Sequence, residues 1–233
     1  MKKGAKHLIS ISAAALVAAM SVAPANAHVS IIPGVTASGS STEAITAGKS
    51  GVLNFRVGHG CALEKETTNP ATGTSLVGTK WGTKSLSVDI PVIAQGTGTT
   101  IPKPAFIPGW TSKVVKNSDS TFTVSWTASS KAFVLPDAPA GGAGGNQFFD
   151  FGISIKWAAD ATGKTVYFKA VQTCEVSLPG KPGKLDKKGK LVVAPIARSK
   201  FDIYNSWDVT DGSGKDTIAD EIEHNTAPSV TVK

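Results

Sequence analysis

The sequence predicts an all-β protein, a single immunoglobulin-like β-sandwich with long loops. Short segments of alternating or β-branched residues recur through the chain, as half-buried strands require, whereas helical periodicity is scarce. Stretches rich in glycine and proline separate these segments, which is typical of sandwich folds. The predicted strands are 28–32, 52–57, 85–92, 112–115, 121–127, 148–157, 165–172 and 229–232.

The first 27 residues have the three parts of an export signal. Three lysines precede an apolar run over Leu8–Val22, which is shorter than the ~20 residues that a membrane-spanning helix needs. Pro24 ends the run, and Ala25 and Ala27 are the small side chains that a signal peptidase requires. We therefore expect cleavage after Ala27 and one domain over residues 28–233, exported to the cell surface, the periplasm or the medium.

Two segments between the predicted strands have compositions that predict a loop and a helix. Residues 138–145 contain only glycine, alanine and proline, and strand-like sequence resumes at Phe148, so they predict a loop inside the domain. Asp216–His224 contains neither glycine nor proline and begins with an acid, which predicts a short helix near the end of the chain.

The charge of the chain is modest once the signal is removed. The formal charge of +7 includes three lysines of the signal, which leaves about +4 for residues 28–233. Many of the remaining lysines lie together in a segment that glycine and proline interrupt, which predicts a solvated loop. No aromatic residues alternate with these lysines, so nucleic-acid binding is not expected. The clustered residues are Lys181, Lys184, Lys187, Lys188 and Lys190.

Cys61 and Cys174 are the two cysteines of the chain. Export would deliver both to an oxidising compartment, so a disulfide between them is the first interpretation. The alternative is a metal site in which Cys61 acts with His59 in the turn Gly58-His59-Gly60-Cys61. An oxidised sulfur is a poor metal ligand, and this favours the disulfide.

Cleavage after Ala27 would make His28 the first residue of the mature chain. An N-terminal histidine can hold one metal ion in a chelate ring through its α-amine and its Nδ1. Nitrogen ligands in a tetragonal arrangement suit Cu(II), which also stands highest in the divalent affinity series. The sequence therefore predicts His28 as a copper ligand.

Several segments, in order along the chain, resemble the YcnI-like copper-binding domain family. The resemblance extends over nearly all of residues 28–233 and includes a Pro-Gly-Trp element, a strand tryptophan and a Phe-Asp-Phe segment. The matching segments are 28–33, 43–48, 53–57, 58–61, 107–111, 124–127, 149–151, 172–174 and Trp207.

The resemblance implies that copper is held by the N-terminal histidine with a carboxylate ligand and a tryptophan close by. These roles transfer to His28, Glu43 and Trp207. Residues 34–42 are inserted before Glu43 relative to the family, and such an insertion could move its carboxylate. Asp150 of the Phe-Asp-Phe segment is therefore the second candidate for the carboxylate ligand. Trp207 follows a longer stretch, Glu175–Ser206, than the family usually has.

The function expected from these residues is copper delivery or homeostasis outside the cytoplasmic membrane, with a membrane copper transporter as a candidate partner. An enzymatic activity is not expected, because neither His59 nor His224 lies in a motif typical of two-histidine copper monooxygenases. His59 is expected to shape the turn before Cys61, and His224 to lie on the surface. The alternative from another class is an extracellular adhesion or recognition module whose N-terminal histidine binds no metal.

Overall fold

The computed structural model describes residues 29–33, 45–63, 67–136, 148–210 and 223–233. Within these ranges the chain forms strands and three short 3-10 helices, at 92–94, 131–133 and 159–161, and no α-helix. The strands are β1 Val29–Pro33, β2 Ser50–Val57, β3 Cys61–Ala62, β4 Lys80–Trp81, β5 Thr83–Ile90, β6 Lys103–Pro104, β7 Trp110–Lys116, β8 Phe122–Ala128, β9 Phe149–Lys156, β10 Thr165–Tyr167, β11 Ala170–Leu178, β12 Lys184–Leu185, β13 Leu191–Val193, β14 Ser199–Val209, β15 Glu223–Thr226 and β16 Ser229–Thr231.

Two large sheets make up the sandwich. A four-stranded antiparallel sheet has the order β1-β2-β9-β6, and a six-stranded sheet has the order β15-β14-β11-β5-β8-β7. Every pairing in the six-stranded sheet is antiparallel except that of β14 with β15. The two-stranded pairs β3-β4, β10-β16 and β12-β13 lie outside the large sheets. This arrangement confirms the predicted all-β class and its β-sandwich architecture.

Side chains that alternate along the central strands form the core between the sheets. Because successive residues of a strand face opposite sides, every second residue reaches the core. The buried sets are Leu53, Phe55 and Val57 on β2; Leu86, Val88 and Ile90 on β5; Phe122, Val124 and Trp126 on β8; and Phe151, Ile153 and Ile155 on β9.

Aromatic rings connect the two sheets. Phe151 on the four-stranded sheet lies 5.2 Å from Trp110 and 5.3 Å from Trp126, measured between ring centroids. The ring centroids of Trp157 and Phe168, which belong to the same core, are 6.2 Å apart. Trp110, Trp126 and Trp157 are all buried and serve as packing residues of the core.

The region after residue 198 differs from the sequence-based prediction. His224 belongs to strand β15, so the predicted helix over 216–224 does not include its last residues. The prediction that His224 lies on the surface is also wrong, since the residue is 8% exposed. Its Nδ1 donates a hydrogen bond to Oδ1 of Asp208 at 2.7 Å, and this partner satisfies the buried ring.

The predicted signal peptide over 1–27, the predicted loop at 138–145 and residues 216–222 of the predicted helix lie outside the described ranges. Within the described ranges, no helix is long and apolar enough to cross a membrane.

Candidate functional site

Strand β1 is an edge strand of the four-stranded sheet and begins at Val29, next to the predicted ligand His28. Val29 pairs with Val57, which in turn pairs with Phe149, so the three strands β1, β2 and β9 are in register at this end. Val29 is buried and belongs to the core cluster. The predicted ligands His28 and Glu43 lie outside the described residues, but His28 is bonded directly to Val29. The strand that begins at Val29 is fixed by pairing and burial.

The turn Gly58–Cys61 follows β2 at the same end and is tied to the six-stranded sheet. Cys61 forms the predicted disulfide with Cys174 of β11, and both residues are fully buried. Gln172, two residues earlier on β11, donates through Nε2 to the backbone oxygen of His59 at 2.8 Å. The same nitrogen lies 2.6 Å from Oγ1 of Thr83 on β5. A covalent bond and a side-chain hydrogen bond therefore hold this turn.

His59 contacts its own turn through one ring nitrogen. Its Nδ1 lies 2.9 Å from the backbone oxygen of Gly60, and a carbonyl oxygen can only accept a hydrogen bond. Nδ1 is therefore the donor in this hydrogen bond. This contact agrees with the expectation that His59 shapes the turn. The alternative site in which Cys61 binds metal beside His59 is wrong, because the Cys61 sulfur is bonded to Cys174.

A small, mainly apolar cleft opens beside this turn. Its walls come from the end of β2, the start of β5, the start of β9 and the segment before residue 137. The lining residues include Val57, His59, Thr83, Leu135, Phe148 and Phe149. The cleft thus lies at the end of the sandwich where β1 begins.

Asp150 is held by an ion pair on the outer face of the sheet. Its two carboxylate oxygens accept hydrogen bonds from Nε and Nη2 of Arg56 at 2.7 and 2.8 Å. The pairing of Arg56 with Asp150 across β2 and β9 places them side by side. The hydrogen bond to Asp150 raises the pKa of the Arg56 guanidinium. Both oxygens of this second candidate carboxylate therefore have a cationic partner.

The Arg56 guanidinium also covers an aromatic ring. Its central carbon lies 3.6 Å from the ring centroid of Phe148, the exposed residue just before β9. Such a contact orders a long cationic side chain next to the cleft. Sequence reasoning singled out Asp150 but missed Arg56 and Phe148. The Phe-Asp-Phe segment supplied a signal, yet the opposing arginine depends on the register between strands that are far apart in sequence.

Trp207 lies inside the sandwich, on β14. Its side chain is 1% exposed, and it belongs to the same core cluster as Val29. It pairs with Ala170 of β11 in the six-stranded sheet. Its indole Nε1 is buried and has no hydrogen-bond partner among the described residues. A buried indole usually finds a partner, so this nitrogen is an exception within the core.

No protein-family model and no curated protein matches the chain. Among solved structures, the chain is similar to an uncharacterized protein from Nocardia farcinica whose crystal structure is described as an immunoglobulin-like fold. The two share 20% sequence identity, the match covers 81% of this chain and 91% of that chain, and the TM-score is 0.40. At these values the likeness carries no argument about function.

Proposed function

We propose that this protein is an exported copper carrier that holds one Cu(II) ion through the α-amine and Nδ1 of His28. Glu43 supplies a carboxylate, and Trp207 lies on the core side of the site. The observation that carries the proposal is the attachment of His28 to Val29, a buried residue of a strand paired along its whole length. The sequence resemblance to the YcnI-like copper-binding domain supports the same assignment.

The anchoring of β1 favours chelation by a terminal residue. A free chain end normally samples many conformations, and ordering it on binding costs free energy. Here the five residues Val29–Pro33 are already paired with Leu53–Val57. Strand β1 itself therefore needs no ordering when the neighbouring residue takes up the ion.

The disulfide favours nitrogen and oxygen ligation at the proposed site. The disulfide removes both thiols from the ligand set, and thiolates are the donors that select Cu(I) and zinc. Amine, imidazole and carboxylate donors suit Cu(II). Because Arg56 engages both oxygens of Asp150, Glu43 is the better carboxylate for the metal.

Delivery requires uptake and release, and we assign the protein to copper transport rather than to catalysis. A membrane copper transporter is the acceptor or donor that fits an exported carrier. The compartment is extracytoplasmic, and the Cys61–Cys174 disulfide is typical of proteins that fold under oxidising conditions.

The first test is a titration of the mature chain with Cu(II) at several pH values. We expect one equivalent to bind at neutral pH, with affinity falling as the pH drops below about 7, since both nitrogens must lose protons before they bind. Isothermal titration calorimetry measures both quantities, and mass spectrometry verifies that the chain begins at His28. Absence of Cu(II) binding, or an affinity independent of pH between neutrality and mild acid, would contradict the proposal.

A second prediction separates the two carboxylates. Glu43→Gln should weaken Cu(II) binding, by less than the loss of His28, because it removes an oxygen ligand but leaves the chelate. Asp150→Asn should leave both the affinity and the stability nearly unchanged, since it only breaks the solvent-accessible ion pair with Arg56. Copper titration and thermal denaturation of both variants measure these effects. The opposite ranking of affinities would make Asp150 the ligand.

A further inference from the structure

The connection between β11 and β14 projects beyond the six-stranded sheet as a hairpin. The pairing of these two strands ends at Leu178 and Ser199. The intervening chain pairs with itself through a bridge between Lys181 and Ile196 and through strands β12 and β13. We call residues 181–198 the basic hairpin. It confirms the predicted exposure of the lysine-rich segment, but the segment is a paired ribbon rather than a loop.

The tip of the basic hairpin is an ordered turn. Oδ1 of Asp186 accepts hydrogen bonds from the backbone nitrogens of Lys188 and Lys190 at 2.8 and 2.9 Å. The Asp186 nitrogen donates to the Lys190 oxygen at 2.8 Å and closes the turn. Gly189 has φ +78°, a left-handed conformation that favours glycine. The turn thereby presents Lys187, Lys188 and Lys190 together at the tip.

Positive charge is concentrated in this one projection. Residues 181–198 contain six lysines or arginines and one acid, a formal charge of +5. The whole of residues 28–233 carries about +4, so the rest of the domain is close to neutral. The single acid, Asp186, is engaged with the backbone of the turn.

The same projection exposes aliphatic side chains next to the lysines. Every residue from 184 to 201 is exposed. Leu185, Leu191 and Val192 are 63%, 52% and 59% exposed, and Leu185 pairs with Leu191 across the ribbon. Val193 and Ile196 are exposed as well, and none of these side chains belongs to a core cluster. An apolar patch of this kind, bordered by charges, marks an interaction surface.

We propose that the basic hairpin docks on the surface of an anionic phospholipid bilayer. The lysines at the tip bind lipid phosphates, and the leucine and valine side chains enter the interfacial region beside them. Clustered lysines with adjacent aliphatic residues match the two attractions that hold peripheral proteins on anionic membranes. The hairpin contains no aromatic residue on which bases could stack, which favours lipid over nucleic acid as the partner. This inference is independent of the copper proposal.

The test is co-sedimentation of the metal-free mature chain with two kinds of vesicle. One kind contains equal parts of phosphatidylcholine and phosphatidylglycerol, and the other contains phosphatidylcholine alone. We expect binding to the anionic vesicles only, weakening as salt is raised. Replacing the three tip lysines together, Lys187→Gln, Lys188→Gln and Lys190→Gln, should lower the affinity by about 100-fold. Leu185→Ser with Leu191→Ser should also weaken binding.

Matched controls use exposed residues elsewhere on the domain. Lys103→Gln, Lys113→Gln and Lys116→Gln together remove the same charge, and Phe106→Ser removes an exposed apolar side chain. Both control variants should bind like the native chain, and circular dichroism verifies that all variants are folded. The proposal is overturned by equal binding to neutral vesicles, by equal loss in the lysine controls, or by no vesicle binding. Binding to soluble polyphosphate without vesicle binding also overturns it.

Discussion

Replacing His28 by alanine, or leaving a methionine in front of it, should lower the Cu(II) affinity by more than about 100-fold. Replacing a residue that only supports a metal ligand typically lowers the affinity of a metal site about 10–100-fold. His28 would supply two ligands itself, so its loss should lower the affinity further. The alanine variant removes the imidazole, whereas the extra methionine converts the α-amine into an amide that is a poor donor. Both changes break the same chelate ring, so the two losses should be similar.

A second histidine at the same end of the sandwich provides the matched control. His59→Gln should retain Cu(II) affinity within a few-fold, because His59 hydrogen bonds to its own turn and is not assigned as a ligand. Calorimetric titrations of the native chain and the three variants measure the ranking. Equal affinity in all four would remove His28 from the site and leave the recognition-module interpretation.

Removal of the disulfide should give the largest loss of stability. Cys61 and Cys174 are 113 residues apart in sequence, and in the chain-entropy model a cross-link over such a loop stabilises the fold by about 4–5 kcal/mol. This is a large share of the ~5–15 kcal/mol that holds a typical domain. We therefore expect the double variant Cys61→Ala, Cys174→Ala to lose about 4–5 kcal/mol of unfolding free energy.

Urea denaturation of the native and double-variant chains measures this loss. The native chain unfolded in the presence of a reductant is the control, because it lacks the cross-link but keeps both cysteine side chains. Its unfolding free energy should agree with that of the double variant to within about 1 kcal/mol, since only packing differs. Equal stability of the oxidised native chain and the double variant would show that the cross-link contributes nothing.

The central strands were predictable because one face of each is buried. The alternation at Val52–Val57 and Thr121–Thr127 predicted β2 and β8 to within two residues at each end. Burial of every second residue leaves this pattern in the sequence.

Strand β14 was missed, although it is the longest strand among the described residues. Its buried centre includes the polar residues Asn205 and Ser206, while Phe201 and Tyr204 are exposed. Polarity therefore does not follow burial along this strand. Pairing with β11 on one side and β15 on the other defines it, and neither pairing is visible in local sequence.

The disulfide was predictable from the cysteine count and the expected compartment. His28 as a copper ligand stays a prediction from its position after the expected cleavage point. The ion pair of Arg56 with Asp150 joins residues 94 positions apart, so it appears only when β2 and β9 are placed in register. In the proposed copper site, that contact favours Glu43 over Asp150 as the carboxylate ligand.

Electron paramagnetic resonance of the Cu(II)-loaded mature chain tests the central claim most directly. The spectrum reports the nitrogens bound to copper, and histidine labelled with a nitrogen isotope changes the coupling of every histidine nitrogen that binds the ion. We predict two coupled nitrogens from histidine in the native chain, the α-amine and one imidazole nitrogen, and loss of the amine coupling in the methionine-extended chain. Identical nitrogen couplings in the native and extended chains would contradict the account.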